Sequence, residues 1–63
     1  MRVGDFVHNV PRSMYGLIVR DAPEVDLVDD EGNIAERVFW VLYDDGISSI
    51  TGSSFLEVIS ESR

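Results

Sequence analysis

Seven of the twelve acidic residues fall between positions 21 and 36: Asp21, Glu24, Asp26, Asp29, Asp30, Glu31 and Glu36, with no Lys or Arg among them. Three kinds of chemistry suit such a stretch. Oxygens of Asp26, Asp29, Asp30 and Glu31 around Gly32 can be offered to a hard cation, as calcium loops do, but the spacing departs from the D-x-[DN]-x-[DN]-G pattern. A negative patch can steer a basic partner. The plainest reading is a solvated, self-repelling loop that keeps the chain soluble.

The other reactive residue types are sparse. His8 is the only histidine and there is no cysteine. A transition-metal set is therefore out of reach, and His8 reads as a strand-end residue rather than a pH switch or ligand. Asp44 and Asp45 are sequence neighbours, so they point apart and serve a turn better than an acid/base pair. Ser53 and Ser54 follow Gly52 with no His-plus-acid arrangement to activate a nucleophile. Five rings, Tyr15, Phe39, Trp40, Tyr43 and Phe55, lie in a chain that also carries Asp44 and Asp45. They can form an aromatic cage for a cation, as in tudor- and chromo-type barrels. A domain this small needs most of its rings in its core, which is the simpler assignment. Neither catalysis nor a cofactor is expected.

Charge narrows the partners. The chain has 63 residues, five Arg, no Lys and a net charge of −7. Phosphate neutralisation needs clustered cations, so direct nucleic-acid binding is disfavoured, although an acidic protein can imitate DNA charge towards a DNA-binding enzyme. Residues 1–20 carry three Arg against one Asp, and residues 21–63 carry two Arg against eleven acids. Opposed patches favour self-contact, unless strand pairing interleaves them. No apolar run approaches the roughly 18 residues of a membrane span. The stretch MRVGDFVHNV is interrupted by Gly, Asp and His, so no secretory signal is expected.

The elements that position these residues read as strands. Val3–His8 is a first strand, and residues 9–13 are a loop around Pro11. Tyr15–Arg20 is a second strand, with Gly16 at a bulge or a close backbone approach. Residues 24–36 form an acidic hairpin arm or loop: a short strand at Val25–Val28, a turn at Asp29–Asn33 and a return at Ile34–Glu36. Arg37–Tyr43 is the strongest strand. It is apolar or aromatic after Arg37, so both of its faces are expected to be mostly covered, with Trp40, Val19 and Val58 substantially buried in or against the barrel. Asp44-Asp45-Gly46 is a hairpin turn with Gly46 at positive φ, followed by a strand at Ile47–Thr51. Residues 52–56 make one tight helical turn. Glu57–Ile59 closes the sheet, and Ser60–Arg63 is a polar tail. No segment keeps 3.6-residue periodicity, so no long helix is expected.

Val3-Gly4-Asp5-Phe6-Val7, Gly16-Leu17-Ile18-Val19, Val38 to Gly46 and Phe55 to Ile59 together resemble small SH3-like β-barrels. They are similar in particular to short bacteriophage-encoded barrel proteins of uncharacterised role, with a "vGDlV" start, a "GiVv" strand, a "vlWfDG" hairpin and a "LEvi" end. The resemblance spans nearly the whole chain outside residues 21–36. Trp40 lies earlier than the hairpin tryptophan of that pattern, which admits a bulge in the hairpin and leaves the facing of Phe39 to Tyr43 open. The basic residues of nucleic-acid-binding KOW-type barrels are missing. The V-L-Y-D-D stretch is central rather than at the start of the fold, so a proline-rich-peptide groove of the signalling SH3 type is not supported.

The resemblance implies a single all-β domain over residues 1–63. It would be a small five-stranded SH3-like barrel with a short 3-10 turn before the last strand. It further implies a non-enzymatic interaction module, phage-encoded, acting as a virion accessory or structural protein of head or tail. The alternative is a soluble regulator or DNA-mimic-like inhibitor that binds a host protein through the acidic arm. Either role places the chain in the virion or the host cytoplasm, with a protein partner or self-assembly. The residues offered for the partner are Asp26, Asp29, Asp30, Glu31, Tyr15 and Tyr43.

Overall fold

The computed structural model describes residues 1–61. The chain is all-β, with strands β1 (Phe6–Asn9), β2 (Met14–Asp21), β3 (Leu27–Val28), β4 (Ile34–Glu36), β5 (Val38–Tyr43), β6 (Ser48–Gly52) and β7 (Leu56–Ser60). Two short 3-10 turns, Pro23–Val25 and Ser53–Phe55, precede β3 and β7. No helix among the described residues is long and apolar enough to cross a membrane.

Five strands form one antiparallel sheet in the order β6-β5-β2-β1-β7. The sheet is not closed, and β6 and β7 are its edges. β3 and β4 pair separately as a two-stranded hairpin, so the acidic segment is a hairpin arm. Its first strand is shorter than Val25–Val28 because Pro23 starts a 3-10 turn that consumes Val25. The first main strand starts at Phe6 rather than Val3. Gly4 holds φ 96° in the turn that precedes it, a region an L side chain avoids, and an Asp5 carboxylate oxygen accepts the Arg2 N–H at 2.9 Å. Of the expected tail, Ser60 belongs to β7, while Ser62 and Arg63 lie outside the described residues.

One face of the sheet holds the core: Val7, Ile18, Phe39, Val41, Tyr43 and Leu56, with Met14 and Val58 packed against them. Period-2 alternation explains the membership along β1, where Val7 and Asn9 point in and Phe6 points out. Gly16 is a close approach: a Cβ there would sit 2.6 Å from Val41 Cγ1 and 2.8 Å from the Leu42 carbonyl oxygen. β2 can lie on β5 at this point only without a side chain.

Two expectations about the central strands, the hairpin bulge and the burial of Val19, are corrected. The β5–β6 hairpin carries no bulge; its register runs evenly from Val38↔Gly52 to Leu42↔Ser48. The irregularity lies instead between β2 and β5, at Ile18/Arg20. Val19 is exposed rather than buried, in keeping with the alternation that buries Gly16 and Ile18, and the extra residue puts Arg20, next in the chain, on the outer side as well, opposite Trp40. Trp40 faces the outer side of the sheet opposite Arg20 and Ile50 and is half-buried. The turn after β5 follows its local chemistry. Gly46 holds φ 84°, its N–H reaches the Tyr43 carbonyl at 3.0 Å, and Asp45 Oδ1 accepts the Ile47 N–H at 2.9 Å.

Candidate functional site

The acidic arm is tied down by its own carboxylates. Asp29 Oδ1 accepts the N–H groups of Glu31 and Asn33, each at 2.9 Å, which shapes the tip. Asp26 Oδ1 accepts the Val38 N–H at 2.8 Å. Glu36 Oε1 accepts the Ser54 N–H at 2.7 Å, joining β4 to the 3-10 turn before β7. Hydrogen bonds from the Ser54 side chain and backbone stabilise the ionised Glu36 and hold its carboxyl below the ordinary glutamate range. Gly52 leaves room for this contact, since a Cβ there would lie 2.8 Å from Glu36 Oε2.

Asp26, Asp29 and Glu36 are thus engaged with the backbone. Asp30 and Glu31 remain exposed at the tip. The carboxylates do not converge, and among the described residues no three His, Cys, Asp or Glu side chains gather as a metal site. Sequence reasoning missed the two tethers because each partner lies far along the chain from its carboxylate.

The rings divide between core and surface. Tyr43, offered above as a partner contact, is only 4% exposed. Its hydroxyl accepts the Asn9 Nδ2–H at 3.0 Å and shares a 2.6 Å hydrogen bond with Thr51 Oγ1. Burial requires those bonds, and they turn the residue inward, so Tyr43 gives a partner almost no surface. Phe39 is likewise core. Tyr15 is 51% exposed and stacks on His8 with centroids 4.5 Å apart and planes 14° from parallel. No cage of the five rings exists.

The uncovered feature is the outer face of the main sheet. Register places Phe6 beside Leu17 and Leu17 beside Leu42, a continuous apolar row across three strands. Phe6 is 51% exposed and Leu42 40%. Trp40 and Ile50 extend the face along β5 and β6. The Arg20 guanidinium sits 5.7 Å from the Trp40 ring centroid and pairs with Glu24 at 3.8 Å. The Trp40 indole N–H is buried without an acceptor among the described residues. A groove of about 330 Å³ runs along the row, lined by Phe6, Tyr15, Gly16, Leu17, Leu42, Tyr43 and Asp44. Its signal in the sequence is β5 itself, apolar at every position, which suits a strand mostly covered on both faces; Val38 is buried and Trp40 half-buried, and Leu42 is the one β5 side chain left exposed.

Among known proteins, no family model, no curated protein and no solved structure matches this chain.

Proposed function

We propose that this chain is a non-enzymatic protein-interaction module of the SH3-like barrel type, and that its partner covers the outer face of the main sheet. The barrel reading is supported by the strand order. Four strands meander as β1, β2, β5 and β6, and the last returns through a 3-10 turn to lie beside the first. The interaction reading is carried by one observation: the apolar row Phe6–Leu17–Leu42 crosses three strands, and Phe6 and Leu42 have no covering layer. A protein partner suits that face better than a nucleic acid does, because its surface is apolar rather than cationic. The virion-accessory role rests on the motif resemblance, and the host-regulator role is its alternative.

The test places a photo-crosslinking residue at Leu42, and separately at Asp30, in the cells that make the protein. Adducts at position 42 with one identified protein support the reading. A head or tail protein assigns the virion role, and a host enzyme assigns the regulator role. Adducts at position 30 alone would move the partner surface to the acidic arm. No protein adduct at either position overturns the module reading.

A further inference from the structure

The groove on the outer face has a chemical bias. Of its lining residues only Asp44 is charged. Phe6, Tyr15, Leu17 and Leu42 supply an apolar floor with two ring faces, and Asp44 stands at one end, exposed, in the turn after β5. The Asp44 N–H is held by the Tyr15 carbonyl at 2.9 Å, so the backbone under the carboxylate is fixed against β2. Its neighbour Asp45 is different: that carboxylate is engaged with the Ile47 N–H inside the turn. Among the described residues no Arg side chain forms an ion pair with Asp44. The molecule as a whole carries −7.

Resting on the docking face proposed above, the geometry points to a specific occupant: a partner segment that presents a Lys or Arg beside an apolar side chain. The alkyl stem would lie on Phe6, Leu17 and Leu42, the apolar neighbour would fill the groove against Tyr15, and the cationic head would reach Asp44. Long basic side chains bury their methylenes while keeping the head in water, which fits a shallow groove with one carboxylate at its rim. The ring faces of Phe6 and Tyr15 also favour a cation over an anion. A second copy of the chain is a poorer fit. Although it carries five Arg, its own net charge of −7 opposes close approach.

The experiment titrates the full chain with a short capped peptide alternating leucine and lysine, followed by amide chemical shifts in two-dimensional NMR. The same peptide with every lysine acetylated is the control. The expected result is saturable shifts centred on Phe6, Tyr15, Leu17 and Leu42. Affinity should be about two- to five-fold weaker for Asp44→Asn or for the acetylated peptide, the range open to one partly exposed ion pair. The Asp44 contribution should shrink at high salt. Asp44→Asn suits a turn position, and a melting curve checks that it folds. Equal binding of the two peptides, or shifts confined to Asp30 and Glu31, would overturn the assignment. Crosslinking at Leu42 would be untouched by that failure, so the docking face and its occupant are tested separately.

Discussion

Replacing Tyr43 by Phe tests the division between core and surface most sharply. The ring is buried, so its apolar packing survives the substitution and only the hydroxyl is lost. That hydroxyl bridges Asn9 Nδ2 at 3.0 Å and Thr51 Oγ1 at 2.6 Å, with both partners themselves buried. Its removal leaves a buried donor on β1 and a buried hydroxyl on β6 without their shared partner. An unsatisfied buried polar group costs about 1–3 kcal/mol, and packing relaxation recovers part of two such losses, so a fall of about 2 kcal/mol is expected. For a domain of this size, total stability on the order of 3–9 kcal/mol follows from the usual per-residue range. The change should therefore lower the melting temperature by about 8–16 °C. Urea titration followed by Trp40 fluorescence measures it, with an unchanged slope as the check on two-state behaviour. The double variant Tyr43→Phe/Thr51→Val should lose less than the two single losses combined, because both remove one shared bond. A loss below about 0.5 kcal/mol for Tyr43→Phe would refute the buried network and return Tyr43 to the surface as a contact residue.

Three other perturbations address the elements around it. Gly16→Ala must displace Val41 or the Leu42 carbonyl, found 2.6 and 2.8 Å from the new Cβ, so denaturant titration should show a loss of about 1–3 kcal/mol; a neutral result would mean β2 and β5 are not so closely apposed. Gly46→Val places a β-branched residue at φ 84° and should cost more than about 1 kcal/mol by the same assay; an unchanged midpoint would sink the turn geometry. Glu36 is bound in the native state as a carboxylate with its pKa lowered by Ser54. Its contribution is thus complete above the ordinary glutamate range and is lost as pH falls through the lowered native value. Melting temperature measured from about pH 6 to pH 3 should fall less steeply in Glu36→Gln than in the natural chain, and parallel curves would show that the tether does not bias stability.

Turns were legible in the sequence because their causes are local. Asp44-Asp45-Gly46 and Asp29 to Asn33 each supply a short side chain that bonds backbone nearby, together with a glycine free to take positive φ. Residues within a few positions decide such turns, whatever lies elsewhere. The strands β1 and β2, and the all-β class with its 3-10 turn before β7, were legible from β-branched and aromatic runs bounded by those turns. Facing was another matter. From Val38 to Tyr43 every residue is apolar or aromatic, so period-2 alternation leaves no mark in the composition. Which side is inside was decided by pairing with β2 and β6. The β2 bulge at Ile18/Arg20 then shifted the phase after Val19, which already points outward, and seated Arg20 opposite Trp40. Asp26 and Glu36 were legible as acids but not as tethers, because Val38 and Ser54 come within reach only after the arm folds back on the sheet. Tyr43 and Tyr15 look alike in the sequence. Tertiary pairing alone sent one hydroxyl to Asn9 and Thr51 in the core and left the other ring on His8 at the surface, because a side chain's face in a sheet is set by register with strands far away in the chain.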